Sequence, residues 1–220
     1  RGSARRGKAR LGKAGLGALH MGANARAAVL LAQRVSDGVP VADLSEWLRD
    51  QPRRAVEVQR VTTRLSSGEV ADALNTGHLA RLSAPPSANT LRMARAHLGL
   101  EHGLDGRAIH DFNFGNVMTG LGYEGPWFAM TADEETSAGR VWIRSKWRAY
   151  ASPIEGAAGY WDLLRRMFPD ALSVMDAGTP EDFAAALKNQ RDAHGRPRPY
   201  YSAKLGKYQD LMRACWRAVG

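Results

Sequence analysis

A single cysteine, Cys215, occurs in 220 residues, so the chain has neither an intrachain disulfide framework nor a thiolate metal site. No run of about 18 apolar residues is present, and no segment reads as a membrane span. Ala14 to Leu31 is moderately apolar, but His20, Asn24 and Arg26 interrupt it, so it makes a poor signal-peptide core. Acidic residues are missing altogether from positions 1–26, which carry seven Lys/Arg. Elsewhere the charges nearly balance, with seven of each sign over 27–84 and seventeen against fifteen over 85–220. The formal net charge of +9 is therefore a property of the first segment. Such a tail suits a polyanion (nucleic acid, an anionic membrane or wall teichoic acid), or else is a solvated leader. No helical, finger or RNA-binding motif accompanies it, which argues against sequence-specific nucleic-acid recognition. The chain begins at Arg1 rather than Met, as a processed or excised piece of a longer protein would.

What is present can build a core: 44% of residues are hydrophobic and six are tryptophan, so this is not a disordered composition. Helices are expected over about Ala23 to Val35, then from Val41 through Leu44, Trp47 and Leu48. The spacing of Ala55, Val58, Val61 and Leu65 predicts a third helix, closed by Ser66-Ser67-Gly68. Val70, Ala71 and Leu74 predict a short fourth before Gly77. His20 and His78 are isolated and carry no evident chemistry. Paired prolines in Ser83-Ala84-Pro85-Pro86-Ser87 cannot continue a helix, and they set a boundary between a basic, helical N-terminal segment (1–84) and a second domain (85–220). In the latter, Ser87 can cap a helix reaching Glu101. Trp127 to Ala132 and Arg140 to Trp147 read as strands around a polar tip, Asp133 to Gly139. Ser152-Pro153-Ile154-Glu155 and Thr179-Pro180-Glu181-Asp182 read as capped helix starts. A last helix is expected over about Tyr201 to Val219, presenting Leu205, Tyr208, Leu211, Cys215 and Trp216.

The stretch Leu98 to Gly120 holds the most chemistry. Leu91, Ala94, Leu98 and Glu101 recur at helical spacing, so Glu101 shares the buried edge of its helix one turn before Gly103, a helix stop. The negative end of the helix dipole, with apolar Leu100 and Leu104 nearby, disfavours the ionised carboxylate, as a proton donor requires. The alternative is an ordinary solvated helix-end glutamate.

Glu101-His102-Gly103 followed by Asn113-Phe114-Gly115-Asn116-Val117 resembles the signature of bacterial glucosaminidases, glycoside hydrolase family 73, which include flagellar muramidases, autolysins and phage lysins. Four later blocks resemble the same family in the same order: Lys146 to Ser152, Ile154 to Leu164, Asp182 to Leu187, and Tyr201 to Leu205. Together they span roughly Pro85 to Trp216. The resemblance implies a mainly α, lysozyme-like α+β fold, a helical lobe with a small β-hairpin beside an active-site groove. It further implies a peptidoglycan hydrolase of the cell envelope, periplasm or exterior, virion-associated forms included. That enzyme cleaves the bond between N-acetylglucosamine and N-acetylmuramic acid with no cofactor and no metal.

In this reading Glu101 is the general acid. The family's second carboxylate lies on the hairpin four residues before the turn glycine, which gives Glu135, with Glu134 and Asp133 as near substitutes. It would serve as general base or only stabilise charge, unless the substrate's own N-acetyl group is the nucleophile. Phe114, Tyr123 and Trp127, with Phe112, are either sugar-stacking rings or core. Asn113 and Asn116 either bind hydroxyl and acetamido groups or support the loop. Two departures stand out. Leu104 replaces a tryptophan, and the family's tyrosine-bearing stretch becomes Arg191 to Tyr201, keeping its closing tyrosine as Tyr201 with Tyr200 adjacent but lacking the first. Tyr200 or His194 would have to substitute for it. The competing reading is a catalytically impaired wall-binding or structural module of a phage tail or secretion machine, docking to a protein or polyanion through residues 1–84.

Overall fold

The computed structural model describes residues 55–104, 109–120, 123–136 and 139–220, all within the unit Asp50–Gly220. The basic leader and the two helices expected before residue 52 lie outside the described residues. In chain order the elements are β1 (Thr62–Thr63), α1 (Ser67–Leu82), α2 (Ala88–His102), β2 (Ile109–His110), β3 (Trp127–Thr136) and β4 (Gly139–Arg148). Four helices follow: α3 (Pro153–Met167), α4 (Pro169–Val174), α5 (Pro180–Asn189) and α6 (Leu205–Val219). The expected mainly α class with a small hairpin is what these residues form.

Helix starts follow their capping side chains. Ser66 and Glu69 form a reciprocal box at α1, as do Thr179 and Asp182 at α5. Ser87 accepts from the Thr90 amide at α2. At α3, Ser152 accepts from the Glu155 amide, while the Glu155 carboxylate reaches back to the Ala151 amide rather than to the cap itself. Each such cap contributes about 1 kcal/mol by satisfying an otherwise orphaned amide.

The core joins all the larger helices. Trp161, Tyr160 and Leu164 of α3 pack with Leu74 of α1, Met93 and Ala94 of α2, Phe183 and Leu187 of α5, and Met212 of α6. The Trp161 indole donates to the Leu74 carbonyl at 2.9 Å, tying α3 to α1 inside the core. Gly77 does not end a helix, as its sequence context suggests. It lies in mid-α1, where a Cβ would sit 2.8 Å from the Ala158 backbone nitrogen, so its lack of a side chain permits backbone-to-backbone packing on α3. Residues 65–74 thus share one core with the helices that follow. The expected boundary at 84–85 falls inside the packed unit, and Ser83 to Pro86 is the turn between α1 and α2. His78 closes that turn: its Nδ1 lies 2.7 Å from the Ala84 carbonyl oxygen and its ring meets Trp161 edge-on.

The helix expected over 55–65 does not form. Val58 donates to the Trp127 carbonyl and Trp127 to the Val56 carbonyl, and Thr62 and Thr63 pair antiparallel with His110 and Ile109. The run Val56, Val58, Val61, Thr62, Thr63 is β-branched, which favours extended backbone over helix. The hairpin also differs from expectation. The β3–β4 ladder continues to the Thr136–Gly139 pair, so Glu135 lies within the paired strand, opposite Arg140, instead of in a loose tip. Finally, α6 starts at Leu205, and Lys188 donates to the carbonyls of Tyr201, Ser202 and Ala203, which lie before the helix.

Candidate active site

Glu101 occupies the last turn of α2, before Gly103 at φ 82°. Its side chain is 19% exposed. The Tyr208 hydroxyl of α6 donates to Oε1 at 2.7 Å, and the Asn116 amide donates to Oε2 at 3.0 Å. Both carboxylate oxygens are thus gripped by groups from elements distant in sequence, with one further lone pair left on each.

The Asn116 arm is set by a loop under backbone strain. Asp111, Phe112 and Asn116 all have positive φ, between 46° and 53°, a region costly for most side chains and least so for Asn and Asp. The loop is pinned on both flanks: Asp111 donates to the Val61 carbonyl, Tyr150 to the Asp111 carbonyl, and Arg148 to the Val117 carbonyl. Asn113 staples it from within, giving its amide to the Val117 and Arg148 carbonyls and accepting from the Val117 amide. Gly156 of α3 presses against the Phe112 carbonyl, where any Cβ would collide.

Behind Glu101 lies His97, one turn earlier on α2 and wholly buried. Its Nδ1 is 3.1 Å from the Tyr160 hydroxyl, while Nε2 stands 3.8 Å from Glu101 Oε1, beyond hydrogen-bond reach. Burial pulls the imidazole down to about 4, against the opposing pull of Glu101, so it is neutral at neutral pH. Burial likewise pushes the Tyr160, Tyr200 and Tyr208 hydroxyls well above the ordinary phenol value, with Glu101 adding to the shift. These hydroxyls stay protonated, and those of Tyr200 and Tyr208 act as donors.

The other candidates divide. Asn113 and Phe114 are buried; the Asn113 amide is consumed by the loop and the Phe114 ring belongs to the core, so neither presents itself to a ligand. Tyr201 does not reach the acid: its hydroxyl donates to the Ala184 carbonyl at 3.0 Å, and its ring stacks on Tyr208 at 3.6 Å and 3°. It supports the tyrosine that does. Tyr200 donates to the Gly115 carbonyl at 3.1 Å and braces the loop. His194 sits in an exposed turn. Tyr123 and Trp127 lie at the hairpin base, each with a ring face under a cation, Arg148 at 4.4 Å and Lys146 at 4.2 Å. Asn116 alone of the expected ligand-binding residues contacts Glu101 directly. Sequence reasoning missed His97 and Tyr208. His97 was findable, since four residues before Glu101 is the same helix face. Tyr208 gave no such signal, because its place in the apolar stripe of α6 matches a core residue.

These elements define a mainly α protein whose helix-end glutamate meets a strained Asn/Gly loop and a tyrosine from the last helix. No protein-family model matches the chain, and no curated protein does. Among solved structures it is similar to a peptidoglycan hydrolase mutant from Sphingomonas sp. A1, at 19% identity over 70% of this chain and 88% of that one, with a TM-score of 0.46. It is also similar to a C-terminally truncated glycoside hydrolase domain from Salmonella typhimurium FlgJ, at 22% identity over 70% and 97% of the two chains, TM-score 0.45. Among the described residues no helix is long and apolar enough to cross a membrane.

Proposed function

We propose that this chain is a lysozyme-like peptidoglycan hydrolase that cleaves the glycan between N-acetylglucosamine and N-acetylmuramic acid, with Glu101 as general acid. That substrate would put it in the cell envelope, the periplasm or outside the cell. One observation carries the reading: a half-buried carboxylate at a helix end, held by Tyr208 and by Asn116, which belongs with it to the first of the five blocks that resemble the glucosaminidases. Glycosidic cleavage needs a proton delivered to the leaving oxygen and a stabilised oxocarbenium-like state. A carboxyl fixed on two sides has few rotamers, so the proton it gives is aimed. Glu135, on β3, is the proposed second carboxylate, acting on water or on developing charge.

The wall-binding reading also has an observation behind it. Neither tyrosine of the 191–201 stretch offers its hydroxyl to Glu101, since Tyr200 bonds Gly115 and Tyr201 bonds Ala184. Purified walls decide between the two. Wild type should release reducing ends, and mass spectrometry of the muropeptides should find N-acetylglucosamine at them. Glu101→Gln should fall by on the order of a hundredfold or more, the usual scale for a lost general acid. Equal inertness of wild type and mutant, with both retained on walls, would leave only the binding module.

A further inference from the structure

Beside Val117 of the site loop lies a groove of 520 Å³ at the hairpin base and α3, lined in part by Arg81, Arg148, Leu163, Arg166 and Met167. Its volume is in the range of small-ligand sites. Charge in its wall is lopsided. Asp162 is shared by three arginines, with Arg165 at 2.9 Å, Arg81 at 3.2 Å and Arg166 at 4.0 Å. Arg165 lies outside the groove itself, whose lining sets Arg81, Arg148 and Arg166 against Asp162 and Glu155, a formal surplus of one positive charge. Of these guanidiniums, that of Arg148 is fixed by its Nε bond to the Met118 carbonyl and its stacking on Tyr123. The lining carboxylate of Glu155 accepts from the Ala151 amide, which orients it and leaves its charge in place. Val117, Leu163 and Met167 supply apolar contact beside these donors. Planar forks around a deficit of negative charge, next to aliphatic surface, match a small carboxylate-bearing chain better than a neutral sugar.

We propose that this groove binds the acidic peptide stem carried by the glycan, so that the enzyme grips the polymer by its branch as well as its backbone. The proposal rests on the peptidoglycan reading above. It follows from placement: Asn116 holds Glu101 while its neighbour Val117 lines the groove, so one loop faces both.

The test uses the full chain carrying Glu101→Gln, which removes cleavage and leaves the groove intact. Calorimetry would compare soluble glycan oligomers that keep their stem peptides with the same oligomers stripped of them. Stem-bearing oligomers should bind roughly tenfold tighter, a modest return for one or two arginine–carboxylate contacts. Adding Arg166→Gln, a residue 69% exposed and so dispensable for folding, should erase most of that difference and leave the stripped oligomer's affinity unchanged. Arg81→Gln is the second variant, read the same way. Equal affinity for the two oligomers, a preference indifferent to both arginines, or tighter binding of a polyphosphate such as teichoic acid would each overturn the proposal. Wild-type cleavage of walls is scored separately. A chain that cleaves without preferring stems loses only this inference, whereas one that neither cleaves nor binds either oligomer loses the peptidoglycan reading too.

Discussion

At the scale of single residues, the contact with most consequence is the Tyr208 hydroxyl on Glu101. A hydrogen bond to a charged or charge-developing group is worth about 1.5–3 kcal/mol. Tyr208→Phe removes it without changing the stacked ring beneath. If Glu101 is the proposed acid and the bond aims its carboxyl, kcat should drop by roughly tenfold to a hundredfold with KM little changed. A purely structural tyrosine would lower the melting temperature and leave the kcat of the protein that stays folded in place. Legibility at this scale is uneven. The position of Glu101 follows from helical spacing and a glycine stop, both local. The uses of Asn113, Phe114 and Tyr201 do not, because whether a polar or aromatic side chain faces a ligand or a neighbour depends on contacts made across the fold.

At the scale of elements, the site stands on how α3 meets the loop at Phe112. Gly156 lies in the first turn of α3 with its Cα against the Phe112 carbonyl. Gly156→Ala should therefore do the opposite of an ordinary helical glycine replacement, which stabilises by up to about 1 kcal/mol. Overpacking against backbone costs about 1–3 kcal/mol, and relief requires the loop to move and carry Asn116 with it. Chemical denaturation should show the loss of stability, and activity should fall further than stability alone explains. Helix starts were readable because capping is local chemistry, as at Thr179 and Asp182. Segment 55–65 departs from the expected helix because apolar spacing alone cannot separate helix from strand in so short a run. Its β-branched residues were the better signal.

For the whole molecule, the relevant fact is that α1 belongs to the core. Leu74 accepts from the Trp161 indole and Gly77 beds onto α3. A chain begun at Asp50 should melt in one cooperative transition, whereas one begun at Pro85 should lose that transition or fail to stay soluble. The prolines at 85–86 looked like a linker because proline ends helices whether or not a domain ends there. Only the long-range packing of Leu74 and Gly77 distinguishes the two cases, and sequence spacing does not carry it.

The grip of Tyr208 on Glu101 also has a bearing on timing. The two residues are 107 positions apart in the chain, so at about 5–20 residues per second the ribosome needs roughly 5–20 s to supply the second after the first. Throughout that interval the nascent polypeptide carries Glu101 without its Tyr208 partner, so under the proposed function synthesis itself would delay the moment at which the site is complete.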